Sequence, residues 1–190
     1  MAPKIDEHLQ AIEKIAAIWG HFEFYVSETI WQLANVDRNA GACLTAQLIG
    51  PGPRFRALVA LLHFRKANKD LIDVANSLTG RATNLGERRN RIVHDVLTNS
   101  IGEEVLRIHL KANQKLEFEL KSDTLKDLED SYQAISRLIN DFVAFRSRML
   151  VELPAFPRTQ FELSPGIRTN APEQDSSSQG QKPLPESSPD

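Results

Sequence analysis

The chain has 190 residues, 41% hydrophobic and 25% charged, with 23 basic against 25 acidic side chains. That describes one globular domain, with or without an appendage, and argues against a strongly basic nucleic-acid coat. No run approaches the roughly 18–20 apolar residues of a membrane span, so no membrane partner is expected.

The first ten residues, MAPKIDEHLQ, lack an apolar signal core, and the only cysteine, Cys43, cannot form an internal disulfide. Both point to a cytoplasmic protein. Cys43 lies in the small-residue stretch NAGACLTAQL with no activating base beside it, and is expected to be a buried, unreactive thiol.

In chain order, Ile5, Leu9, Ile12, Ala16, Trp19, Val26 and Ile30 recur at helical spacing, predicting a first helix from about Ile5 to Leu33. A short helix from Asn39 to Ile49 follows, closed by GPGP. A third covers Phe55–Phe64. A fourth runs from about Asp70 to Val96, weakened or broken by Gly80 and Gly86.

The period then falls to two. Leu106, Ile108 and Leu110 alternate with Arg107, His109 and Lys111, and Leu116, Phe118 and Leu120 alternate with Lys115, Glu117 and Glu119. This predicts a β-hairpin at about 104–121 with one apolar face, an Ala-Asn-Gln turn, and His109 on the solvated side. A last helix starts near Ser122 or Asp123 as N-cap and reaches about Leu150.

From Pro154 onward proline, serine and glutamine dominate, so 154–190 is expected to be a disordered tail behind a 1–153 domain. The tail holds three basic and five acidic residues, leaving a body with 20 of each. Any attraction for an anionic substrate must therefore come from clustered rather than net charge.

The segment ERRNRIVHD, 87–95, supplies such clustering. On a helical wheel of about 100° per residue, Arg89 falls near the centre of the apolar arc of the fourth helix, while Arg88 and Arg91 point outward. Asn90 and His94 share the flank beside that arc. In the first helix, Glu23 sits amid Ile12, Ala16, Trp19, Val26 and Ile30. Two charges on two apolar faces must each be paired or reach water, which predicts a Glu23–Arg89 contact.

Such a pair has two readings. It can be a structural clip. Alternatively, these residues suit cleavage of an RNA phosphodiester through its 2′-hydroxyl, which needs a proton acceptor and donors for the phosphorane. Histidine titrates in the useful range and arginine presents a fixed fork of donors. That chemistry requires no metal or cofactor. His63 and His94 also lack acidic or cysteine partners at ligand spacing.

RNRIVH at 89–94 is an R-N-x-x-x-H motif on a late helix, and it resembles the signature of the HEPN (higher eukaryotes and prokaryotes nucleotide-binding) domains. The resemblance implies an antiparallel all-α bundle, here with the hairpin inserted before the last helix. Arg89, Asn90 and His94 map onto the motif. Glu23 looks like the acidic position that many members carry on an early helix. By resemblance the chain is a metal-independent endoribonuclease of the toxin or defence class. Arg89 and His94 would do the chemistry, Asn90 would orient, Glu23 would support, and Arg88 and Arg91 would add positive potential. The partners implied are RNA, a second copy of the chain that brings two motifs into one cleft, and an antitoxin protein. Other members are non-catalytic interaction modules, the runner-up reading; nucleotide or small-ligand binding in the same cleft is a third.

Overall fold

The computed structural model describes residues 4–99, 105–113 and 115–153. The 154–190 tail, the Gln114 end of the expected turn and the side chain of His109 lie outside the described residues. The described chain is mainly helical, with a small three-stranded sheet inserted before the last helix.

Helix α1 spans Lys4–Ala34, α2 Arg38–Thr45, α3 Pro51–Phe64, α4 Lys69–His94 and α5 Leu125–Glu152. The caps follow from local chemistry. The carboxylate of Asp37 accepts from the backbone of Asn39 and Ala40 at the start of α2. Asn68 does the same for Leu71 at the start of α4. Pro51 stands in the first turn of α3, where its missing N–H costs nothing. The cap of α5 is Thr124, one or two residues later than expected. Its hydroxyl accepts from the Asp127 N–H while the Asp127 carboxylate accepts from the Thr124 N–H, a reciprocal capping box that neither Ser122 nor Asp123 could close with an acid at the right offset. Helix α2 stops at Thr45, short of Ile49, which is exposed.

Helix α4 is unbroken. Gly86 is accommodated because the space a Cβ would need is already filled: it would come within 2.9 Å of Pro51 Cγ and 3.1 Å of the Trp19 ring. The glycine marks close helix approach rather than a helix end.

Cross-helix contacts set the directions. His8 donates to the carbonyl of Asp123, just before α5; Phe22 meets Phe142, and Arg146 pairs with Glu28, so α1 and α5 run the same way. Arg54 meets Glu23 and Arg65 reaches the carbonyl of Leu33, so α3 runs with them. Arg81 pairs with Asp141 and Arg88 with the carbonyl of Asp127, so α4 runs against them. The core between them centres on Trp19, Phe22, Phe55, Leu58, Leu78, Ile135 and Phe142, all buried. Its aromatic rings lie at centroid distances of 5.2–6.1 Å.

The hairpin is part of a three-stranded antiparallel sheet. Strand β1, Val96–Asn99, pairs with β2, Val105–Asn113, which pairs with β3, Lys115–Ser122. Val96 therefore belongs to a strand rather than to the end of α4, and Asn113 pairs with Lys115 across the expected turn. The orientation of the sheet also differs from expectation. Val105 and Arg107 are buried beneath it, whereas Val96, Phe118 and Leu120 are exposed at 58%, 71% and 65%. Val96, Ile108 and Leu120 stand opposite one another across the strands. The apolar face thus points outward. The inward arginine is tolerable because it ion-pairs with Asp123, just before α5.

Cys43 is exposed, not buried. On the short α2 the inward positions are Gly41, packed against the Trp31 ring, and Thr45, whose hydroxyl accepts from Trp31 Nε1 at 3.0 Å. Cys43 lies midway between them in sequence and faces away.

Candidate functional site

Arg89, Asn90 and His94 occupy the last two turns of α4, at the end of the bundle where α1 and α5 begin and the sheet packs. Arg89 is half-buried and its Nε is enclosed without an acceptor, while Nη1 donates to Asn90 Oδ1 at 3.1 Å. Among the described residues Arg89 makes no ion pair. Asn90 is exposed, as is His94, the final helical residue.

The expected Glu23–Arg89 contact is not formed. The Glu23 carboxylate pairs with Arg54 Nη1 at 2.8 Å, the two side chains being 30% and 16% exposed. The wheel placed both charges on inward faces but said nothing of height along the bundle. Gly86 sits level with Trp19, and α4 runs against α1. Three residues beyond Gly86 and four beyond Trp19 lead in opposite directions, leaving Arg89 and Glu23 about 10 Å apart along the axis. Arg54, three residues into α3 from Pro51, arrives at the height of Glu23 because α3 runs with α1. The partner lies on the third helix, in PGPRFR.

Arg88 and Arg91 are exposed, as expected, though both are held. Arg88 Nη2 donates to the carbonyl of Asp127 at 3.0 Å, and Arg91 Nε to that of Glu87 at 3.4 Å. Beside them lies a charge that the alternation placed in solvent. Arg107 is buried, paired to Asp123, with Nε and Nη1 unpartnered. Burial pushes its guanidinium below the usual arginine value, and the charges of Arg88 and Arg91 act the same way while Asp95 opposes them. The α4 terminus, β2 and the start of α5 therefore share one electrostatic neighbourhood, centred on arginines.

A second constellation surrounds the Glu23–Arg54 pair. A groove of about 490 Å³ between α1, α2 and α3 is lined by Glu23, Phe24, Trp31, Arg38, Asn39 and Arg54, among others. Among the described residues no group of three His, Cys, Asp or Glu side chains is placed to hold a metal ion, and no helix is long and apolar enough to cross a membrane.

Comparison with known proteins found no matching family model, no similar curated protein and no similar solved structure.

Proposed function

We propose that the chain is a metal-independent endoribonuclease of the HEPN type, acting as a dimer in which the α4 termini of two copies face one cleft. The supporting observation is the state of Arg89. It is half-buried on the terminal turns of α4, and among the described residues it has no carboxylate partner and bonds only to the neighbouring Asn90 amide. An arginine kept as a structural clip needs an acid. The acid expected to fill that role is engaged by Arg54, which disfavours the non-catalytic clip. A fork of donors steadied by a neutral amide retains its full charge for a phosphate.

Helix geometry supplies the reason for a second copy. Residues 89 and 94 are five apart, which separates them by about 140° around α4 and about 7.5 Å along it. The two side chains diverge within one chain, so a phosphate between an arginine and a histidine is better served by two antiparallel copies of the segment.

In this reaction His94 removes the proton from the 2′-hydroxyl, and that oxygen attacks the adjacent phosphorus. Arg89 neutralises the phosphorane oxygens. The P–O5′ bond breaks and the leaving oxygen takes up the proton that His94 accepted, giving a 2′,3′-cyclic phosphate and a 5′-hydroxyl. Asn90 steadies Arg89 rather than His94. Arg88 and Arg91 draw the RNA strand in. A toxin or defence protein silenced by an antitoxin partner is the biological setting this chemistry fits.

The test is incubation of the purified protein with total RNA in the presence of EDTA. Cleavage with cyclic-phosphate ends, lost in His94→Ala and Arg89→Gln at unchanged melting temperature, is the expected result. Undiminished cleavage in His94→Ala, or intact RNA with wild-type protein, overturns the reading.

A further inference from the structure

The groove around Glu23 and Arg54 shares no lining residue with the α4 terminus, and neither Arg89 nor His94 borders it. At about 490 Å³ it lies within the range of small-molecule sites. Its charges are two guanidinium groups, Arg38 and Arg54, against one carboxylate, Glu23, so the groove favours an anion.

The arginines are arranged differently. Arg54 is fixed: Nη1 lies on Glu23 Oε1, and among the described residues its enclosed Nε has no acceptor. Arg38 is exposed, with its guanidinium 5.7 Å from the centre of the Phe24 ring. Phe24 is 41% exposed, which is unusual for a phenylalanine beside a core, and is held edge-on by Trp31 at 6.1 Å and 88°. An exposed aromatic face with an exposed guanidinium over it is a stacking platform. Beside it, a Cβ on Gly20 would meet nothing within 4 Å, so the end nearest Glu23 is open.

We propose that this groove binds a small planar aromatic anion that also carries an amino group next to its ring. The ring stacks on Phe24, and the anionic group is taken by the exposed Arg38, with Arg54 adding positive potential at the wall of the groove. The amino N–H donates to the Glu23 oxygen not engaged by Arg54. A purely apolar ligand would strip water from three charges without replacing it, and a cation would meet two arginines; both are disfavoured. Two sources share the favoured chemistry, a nucleoside monophosphate and an aromatic amino acid of the anthranilate kind.

Calorimetric titration of the full chain with CMP, UMP, anthranilate, benzoate and inorganic phosphate tests the proposal. CMP and anthranilate carry the amino group; UMP and benzoate are their counterparts without it. The expected result is saturable binding of one amino-bearing probe, about tenfold tighter than its counterpart for the one hydrogen bond. Whichever pair binds identifies the source. Arg38→Gln and Phe24→Leu, both at exposed positions, should each weaken that binding at least tenfold without moving the melting temperature. The proposal is overturned by absence of saturable binding to any aromatic probe, by indifference to both variants, by equal affinity within the binding pair, or by phosphate alone binding as tightly as CMP. Because RNA cleavage is not measured, failure of the ribonuclease reading leaves the outcome unaffected.

Discussion

Glu23 on α1 closes its ion pair with Arg54 on α3 at 2.8 Å, although Arg89 on α4 is the cation that shares its inward orientation. The pairing follows from helix direction: α3 runs with α1 and carries Arg54 to the height of Glu23, while α4 runs against it and carries Arg89 away. Removing the carboxylate strips Nη1 of its partner on a half-buried guanidinium whose enclosed Nε already has none among the described residues. Glu23→Gln should therefore cost about 1–3 kcal/mol, read as a drop in the denaturation midpoint. Arg89→Gln, with no ion pair to lose, should move it by less than about 1 kcal/mol. Equal losses in the two variants would mean that Arg89 carries a structural load after all.

The two glycines of α4 should respond in opposite senses. Gly86→Ala drives a methyl group into the Pro51 ring and the Trp19 indole, neither of which can rotate aside, and should destabilise by about 1–3 kcal/mol. Gly80→Ala meets open space in a helix interior and should stabilise by about 0.5–1 kcal/mol. Thermal melts of both variants decide this.

The outward apolar face of the sheet makes its own forecast. Phe118→Thr and Leu120→Thr should change stability by no more than about 0.5 kcal/mol, since both side chains are mostly in solvent. Ile135→Ala, which is fully packed, should cost about 2–5 kcal/mol. Comparable losses at Phe118 and Ile135 in urea titration would place the apolar face inward.

The start of α5 should contribute to acid sensitivity. Asp127 is held below its ordinary value of 3.8, first by its bond from the Thr124 hydroxyl and then by that from the Thr124 backbone. A carboxyl depressed on folding contributes stability that is complete above its unfolded value and is lost as pH falls through the folded one. Wild-type stability should therefore decline below about pH 4. The decline should be shallower in Asp127→Asn, which has already forfeited the charge. Parallel melting-temperature profiles from pH 5 to pH 2 would refute the assignment.

Native labelling with a maleimide should modify Cys43 without denaturant, because the thiol is exposed. Protection until the chain is unfolded would show that α2 is turned the other way.

Much of the helical framework was legible in the sequence, because apolar spacing reports one-dimensional order directly. Lys4–Ala34 and Lys69–His94 emerge within a few residues of where the periodicity put them. The errors share a cause. Periodicity gives the angle of a side chain about its own element, but not its height against a neighbour or which face turns inward. Glu23 and Arg89 are both half-buried, in keeping with their wheel positions, yet their partnership depends on the direction of α4. The alternation in 105–120 correctly separates two faces, but Arg107 lies inside because Asp123 waits for it, and a two-residue period cannot express that. The wheel position of Val96 fits the helical arc, yet the pairing that claims it comes from Ile108. The R-N-x-x-x-H segment itself was visible at once, since all its members sit on one helix.

Gly86 also has a meaning for register. It is locked against Pro51 and Trp19 less than one turn before Arg89, and so acts as a key in a slot, fixing the azimuth of everything that follows on α4. One residue inserted between Gly86 and Arg89 would swing Arg89, Asn90 and His94 together by about 100°, leaving their mutual spacing intact while aiming all three elsewhere. One inserted after His94 would disturb only the strand. The chain thus separates the composition of its RNRIVH segment from its direction, and assigns the direction to a residue with no side chain.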